Sequence, residues 1–315
     1  MTFAQVEDAR RVLHAHLAPT RLVPAEALAR RVGGRVYLKL ETDLPTGSFK
    51  PRGALYALWA CRQRGPVAEV VAASTGNHGA AVAYAARLLG LPATIFLPRN
   101  PNPVKRARIA AQGARVIEGG ADLAEAAQAA RAHAAATGAY FLDDATDPDL
   151  PAGAATIACE IVEQTQDTAA LYVPVGDTAL IRGVALAARH LRPGIRIVGV
   201  QAEGAPAYAL SWRAGRPVPT PTCQTIADGL ATRTPVAANV AAIRRLVDDV
   251  RLVSDEAMLA AIRVLLLDEH VVAEPAGAAA TAALLAEDRP PAGPVVLLVT
   301  GANIAPEVLR RAVAG

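Results

Sequence analysis

Cysteine is nearly absent from this chain. Cys61, Cys159 and Cys223 are odd in number and far apart, which argues against a disulfide framework and against a zinc site. A reducing compartment follows, and we expect the cytoplasm. No uncharged apolar run is long enough to cross a bilayer. Met1 to Ala18 carries Glu7, Asp8, Arg10, Arg11 and two histidines, so it lacks the apolar core of a signal peptide. Low-complexity linkers are missing too, and basic charge does not gather in a block. The net charge of +3 comes with interspersed arginines, so no nucleic-acid surface is predicted and a small anionic partner suffices. What is present is 315 residues, 52% of them hydrophobic, enough for a buried core and for two lobes.

Lysine is also scarce, whereas arginine is plentiful. The two are not interchangeable, because a desolvated lysine can lose its proton and attack a carbonyl and an arginine effectively cannot. Lys50 stands in the run Pro45-Thr46-Gly47-Ser48-Phe49-Lys50-Pro51-Arg52-Gly53-Ala54, just after the apolar segment Val36 to Leu40. A strand-like segment, turn-forming residues and a primary amine at a possible helix start suggest a lysine kept for chemistry. The competing reading is a surface lysine in a loop.

A second run, Val70-Val71-Ala72-Ala73-Ser74-Thr75-Gly76-Asn77-His78-Gly79-Ala80, reads as strand, tight polar turn and helix. Its turn sets backbone N–H groups, two hydroxyls and an amide at a helix N-terminus, where an anion such as a carboxylate is favoured. Ordinary capping by Ser74, Thr75 or Asn77 would need one such residue rather than several.

Short apolar runs alternate with helical patterns along the whole chain. Strands are predicted at Val36 to Leu40, Val70 to Ala73, Ala93 to Leu97, Ala114 to Ile117, Ala170 to Val175, Ile195 to Gln201 and Val295 to Val299. Helices are predicted at Asn77 to Leu89, Pro103 to Gln112, Ala121 to Thr137, Ala179 to His190, Asp255 to His270 and Ala276 to Ala286, with Gly90, Gly113 and Gly138 as stops. Such alternation predicts an α/β protein with mostly parallel sheets flanked by helices.

Together the Lys50 and Ser74–His78 runs resemble the fold-type II pyridoxal phosphate enzymes, in particular serine and threonine dehydratases and serine racemases. Three further blocks match in order: Thr225-Ile226-Ala227-Asp228-Gly229-Leu230, Glu274-Pro275-Ala276-Gly277-Ala278 and Thr300-Gly301-Ala302-Asn303. The resemblance implies a two-lobed fold like the tryptophan synthase β chain. A large cofactor-binding domain would be formed by 1–68 and 147–315 and a small substrate-loop domain by 69–146, with the active site in the cleft between them. It implies pyridoxal 5'-phosphate as cofactor, with Lys50 as the Schiff-base lysine and the base that takes the Cα proton, and Phe49 beside it. Asn77 would bond the ring hydroxyl, Thr300 would face the pyridine nitrogen, and Glu274 would be a further cofactor residue. Ser74, Thr75, Gly76, Asn77 and His78 would hold the substrate carboxylate. A hydroxyl at Thr300 leaves the ring nitrogen largely unprotonated and favours β-elimination.

This chain departs from the family pattern at the phosphate cradle. Where the dehydratases carry consecutive glycines, it has Gly176-Asp177-Thr178-Ala179-Leu180 after the strand that begins at Ala170. A carboxylate about 4 Å from a phosphate oxygen is repelled by roughly 4 kcal/mol per charge pair at an effective dielectric of about 20. Either Asp177 turns away, toward Arg182 or as a helix cap, or it shares a proton with the phosphate and thereby makes a general acid for departing hydroxide. Gly153-Ala154-Ala155-Thr156 replaces a Gly-Gln-Gly-Thr run and predicts a more apolar pocket. Glu203 matches one acidic residue of the racemase metal site, but Ala209 stands where a second would be, so no metal is expected. Thr75 occupies the position of the racemases' acid–base serine, so that some racemisation accompanies elimination, or else it only binds carboxylate.

The expected activity is dehydration and deamination of an L-β-hydroxy amino acid to a 2-oxo acid and ammonia. Serine and threonine are the default substrates, and a phenylserine-type amino acid or an intermediate of hydroxyectoine breakdown fits the altered segments. An amino-acid racemase is the main alternative, and a non-catalytic amino-acid sensor that keeps the fold is a remote one. By resemblance the chain is a homodimer. Its end at Gly315 leaves no room for a regulatory domain and so suggests amino-acid catabolism.

Overall fold

The computed structural model of the protein describes residues 1–74, 76–101, 103–289 and 292–314. Its strands are, in chain order, β1 (Leu22–Pro24), β2 (Val36–Leu40), β3 (Val70–Ala73), β4 (Ala93–Leu97), β5 (Arg115–Glu118), β6 (Tyr140–Phe141), β7 (Ala170–Pro174), β8 (Arg196–Ala202), β9 (Asp249–Val253) and β10 (Val295–Val299). The chain divides into two compact units. The first is formed mainly by Phe3–Leu17 and Lys50–Gly153, the second by Ala18–Phe49 and Ala154–Gly315.

In the first unit the sheet order is β5-β4-β3-β6, with every pairing parallel. Parallel strands need long crossovers, and here helices Asn77–Leu88, Pro103–Ala111 and Leu123–Thr137 supply them. Ala126, Ala130 and Ala134 recur every four residues, so they form one stripe of the last helix, which buries against Val71 and Phe96. Asp122 caps that helix by accepting from the Glu125 N–H at 3.0 Å, so it begins at Leu123 rather than Ala121. Gly90, Gly113 and Gly138 take φ of 66°, 85° and 72°, a region that glycine enters without strain, and each follows a helix. The turn after helix Pro103–Ala111 ends at Gly113, and β5 begins at Arg115, one residue later than the pattern suggests.

The second unit carries a sheet of order β1-β2-β10-β7-β8-β9, parallel except for the edge strand β1. Every residue of β10 and β7 is buried, the pattern of strands covered on both faces. Helix Pro275–Leu285 is apolar and buried almost throughout, and its small residues allow close approach: a Cβ on Gly277 would stand 2.4 Å from the Gly301 carbonyl oxygen. Ile195 bonds back to Arg192 in a turn, so β8 begins one residue later than the pattern suggests. The helix predicted to reach His270 stops at Leu267, because Val271 turns back to the Leu265 carbonyl and His270 adopts a φ of 57°. The sequence pattern does not reveal β1, β6 or β9. The first two span three and two residues, and β9 interleaves charged residues with apolar ones.

Lys39 of β2 is 0% exposed and gives its Nζ to Glu160 at 2.6 Å, the Thr20 carbonyl at 2.8 Å and Gln164 at 2.9 Å. A buried ammonium is tolerable only when its donors are met in this way. Lys39→Met is expected to cost about 3 kcal/mol, because the buried carboxylate of Glu160 loses this cation. Urea unfolding of the two proteins measures the difference, and equal midpoints would contradict the assignment.

Candidate active site

In the first unit Lys50 opens helix Lys50–Arg64, with Pro51 in the first turn, where a missing N–H costs nothing. The Lys50 Nζ donates to Asp144 Oδ2. The other oxygen of Asp144 lies 3.4 Å from His78 Nδ1, and His78 Nε2 is 3.0 Å from the Leu142 carbonyl. His78 is buried, whereas Lys50 and Asp144 keep some solvent contact. Burial raises the Asp144 carboxyl, but the charges of Lys50 and then His78, together with the Lys50 hydrogen bond, outweigh it and hold the group below the ordinary carboxylate range.

The sign of the resulting stability effect is fixed. A carboxyl lowered in the folded state stabilises above its unfolded value and loses that contribution as pH falls through its folded one. We expect the urea midpoint of the native protein to fall more steeply between about pH 4 and pH 2 than that of Asp144→Asn. Parallel curves would count against the ion pair.

Ser74 and Asn77 flank the turn before helix Asn77–Leu88, in which the Gly76 N–H donates to Ser74 Oγ at 3.2 Å. The structure therefore brings Lys50 and His78 onto one acid, with Ser74, Gly76 and Asn77 in the segment that carries His78. Thr75 lies outside the described residues.

In the second unit the run that precedes Lys50 is pinned to the end of β10. Phe49 N–H donates to the Thr300 carbonyl at 3.0 Å, Ala302 N–H to the Gly47 carbonyl at 2.9 Å, and Asn303 Nδ2 to the Thr46 carbonyl at 2.9 Å. Thr300 is buried. Glu274 is buried at the start of helix Pro275–Leu285, where its N–H donates to the Gly301 carbonyl at 2.9 Å.

The Gly176–Leu180 loop joins β7 to helix Ala179–Leu191 in this same unit. A Cβ on Gly176 would lie 2.3 Å from the Gly229 carbonyl oxygen, so the backbone passes where only glycine fits. Thr178 has a φ of 71°, an uncommon state for a β-branched residue, and its buried hydroxyl has no hydrogen-bond partner among the described residues. Asp177 Oδ1 accepts from Thr232 Oγ1 at 3.1 Å, so part of this carboxylate is already engaged. Arg182 Nε and Nη2 are buried without hydrogen-bond partners among the described residues. Burial lowers the guanidinium from its ordinary value, against the pull of Tyr208 and Asp177. An orphaned hydroxyl, a glycine passage and the N–H end of a helix fit a phosphate, and the Lys50 amine fits a carbonyl-bearing group. Glu203 is exposed, and Ala209 is buried with its N–H on Gln201 at 2.9 Å.

Asp144 escaped the sequence reading. The signal was there, an acidic pair directly after a short apolar run at the C-terminal end of a strand, which is where open parallel sheets place ligands. Its partner Lys50 is 94 residues away, and no local pattern joins them.

Comparison with known proteins shows the same kinship. The pyridoxal-phosphate dependent enzyme family matches residues 13–301. L-threonine ammonia-lyase of Thermotoga maritima is 36% identical over 256 residues, which cover 81% of this chain and 64% of the relative. The chain thus spans less than two thirds of that relative's length. L-threo-3-hydroxyaspartate ammonia-lyase of Saccharomyces cerevisiae is 36% identical over 82% of this chain and 79% of its own length. The solved structure of maize serine racemase superposes with a TM-score of 0.93 at 29% identity, covering 99% of this chain and 97% of that one. The T.th. threonine deaminase structure gives a TM-score of 0.92 at 32% identity, covering 97% of this chain and 99% of that one. With a family match running through nearly the whole chain and solved structures of the same fold, this protein belongs to the pyridoxal-phosphate-dependent enzymes of fold type II.

Proposed function

We propose that this chain is an ammonia-lyase that converts an L-β-hydroxy amino acid, such as serine, threonine or a bulkier analogue of the phenylserine type, to a 2-oxo acid and ammonia. The observation that carries the reading is the Lys50 amine at a helix start, held by the carboxylate of Asp144. Curated relatives that are threonine and hydroxyaspartate ammonia-lyases support the reaction class. Pyridoxal phosphate, when bound, supplies an electron sink for the pair released at Cα.

Lys50 would hold the cofactor and then take the Cα proton on Nζ. The Ser74–His78 turn would bind the substrate carboxylate, and Asn77 would bond the cofactor's ring hydroxyl. Gly176, Thr178, Ala179 and Leu180 would cradle the phosphate, with the unpartnered Thr178 hydroxyl as one donor. Thr300 would face the ring nitrogen with a neutral hydroxyl, and Phe49 and Glu274 would line the ring. In this reading Asp177 acts through the proton it shares with the phosphate or simply braces the loop from Thr232. Phosphorus NMR of the bound cofactor across pH separates the two. A dianion throughout neutral pH, in both the native protein and Asp177→Asn, rejects the shared proton.

Incubation with L-serine, L-threonine and L-phenylserine, with oxo acid assayed against D-amino acid, tests the activity. Oxo acid with equimolar ammonia supports the lyase. A second reading, amino-acid racemase, has its own support in the maize serine racemase fold and in an aspartate racemase of TM-score 0.92 at 27% identity. Predominant D-amino acid would establish it, and Thr75 would then be its second acid–base group. A cytoplasmic homodimer accompanies the proposal on the strength of the family resemblance, and light scattering of the purified protein checks the assembly.

A further inference from the structure

His78 poses a proton-counting problem. Its Nε2 faces the Leu142 carbonyl, which only accepts, so Nε2 carries hydrogen. In a neutral ring Nδ1 would then be a bare lone pair, and it faces the Oδ1 of Asp144 at 3.4 Å. Two acceptors oppose each other there unless a proton lies on that edge. Nδ1 is buried and finds no hydrogen bond among the described residues, so none of those residues other than Asp144 shares a proton with it. The other carboxylate oxygen is already engaged by Lys50. One acid thus stands between two nitrogen bases. Among the described residues the titratable groups facing it are Lys50 of helix Lys50–Arg64 and His78 of helix Asn77–Leu88, while the neighbouring Asp143 is paired with Arg131.

We propose that Asp144 and His78 form a proton-holding pair that positions Lys50 and balances its charge during turnover. The inference rests on the reading of Lys50 as the cofactor lysine and base. When Lys50 takes the Cα proton, the C–H bond breaks, the electron pair stays with carbon and a new N–H bond turns the amine into an ammonium. Asp144 Oδ2 accepts from that ammonium and fixes its direction. While the Lys50 nitrogen is neutral, the proton on the Asp144–His78 edge supplies the missing counter-charge and stays on the pair. Asp144 and His78 act through Lys50 and are positioning residues; with the His78 ring turned to Leu142 and Asp144, the Ser74–His78 turn would meet the substrate carboxylate through its other groups.

The test uses the cofactor-loaded protein without substrate and reads the pH at which the cofactor's visible band fades. Removing an anion beside the Lys50 nitrogen disfavours its charged form. In Asp144→Asn the midpoint is therefore expected at least one pH unit lower than in the native protein, whereas His78→Gln, which takes away the proton-holding partner and leaves the carboxylate uncompensated, should move it higher. With the best substrate of the panel, kcat of Asp144→Asn should fall tenfold or more while KM stays within threefold. An unchanged midpoint and kcat in Asp144→Asn would overturn the proposal. If that variant does not load, the His78→Gln titration decides alone: an upward shift supports the pair, and no shift or a downward one rejects it. Borohydride keeps the underlying reading separate. Failure to fix cofactor onto Lys50 in the native protein refutes the lysine assignment, whereas successful fixation with an unmoved Asp144→Asn midpoint refutes only the pair.

Discussion

Lys50→Ala is expected to abolish turnover, lowering kcat by at least about 10⁴-fold, because one amine both anchors the cofactor and removes the Cα proton. The fold should survive. Alanine is a good residue for a helix start, and Lys50 is not part of a buried core cluster. Native circular dichroism, a urea midpoint lowered only by the lost Asp144 pair, and cofactor that washes away after borohydride treatment are the accompanying signs. Lys50→Arg should be equally inactive, since a guanidinium keeps its proton and cannot serve as nucleophile or base. Residual activity above about 1% in either variant would reassign the chemistry to another group. Lys39→Met provides the contrast, losing stability while retaining the site.

Gly176→Val carries the second large effect, this time on cofactor binding. Its Cβ would fall 2.3 Å from the Gly229 carbonyl oxygen, a backbone atom that cannot swing aside like the end of a side chain. The loop between β7 and helix Ala179–Leu191 would have to shift, and with it the N–H groups and the Thr178 hydroxyl proposed to meet the phosphate. Misplacing several charge-assisted donors at once should weaken cofactor affinity by about 100-fold or more. Titration of the cofactor-free protein, followed by absorbance, measures it. Gly194→Ala is the control, for a Cβ there meets nothing within 4 Å and the affinity should stay native. Equal affinities for Gly176→Val and the control would show that this loop does not hold the phosphate.

Thr178 bears on the same loop. A β-branched residue at φ 71° is strained, and strain of this kind persists where surrounding structure fixes it. The family resemblance supplies glycines at this position, and glycine would relieve the backbone while removing the orphaned hydroxyl. Here the strained backbone and the unpartnered hydroxyl fall on one residue, which is why Thr178 is included in the proposed phosphate cradle.

The sequence alone determined those features whose cause is local. An apolar run followed by a capping turn produces strand, then helix N-terminus, and so Lys50 and the Ser74–His78 turn could be placed from spacing. The stops at Gly90, Gly113 and Gly138 were legible for the same reason, since a left-handed residue after a helix favours glycine wherever it occurs. Tertiary structure decided what depends on distant partners. Only packing separates Lys39, wholly buried on Glu160, from Lys50, partly open to solvent on Asp144. It also placed β10 between β2 and β7, and brought Gly229 against Gly176 across more than fifty residues of chain. Periodicity and caps are written in neighbouring residues, whereas burial, charge pairing and close backbone approach exist only once remote segments share the same few ångströms.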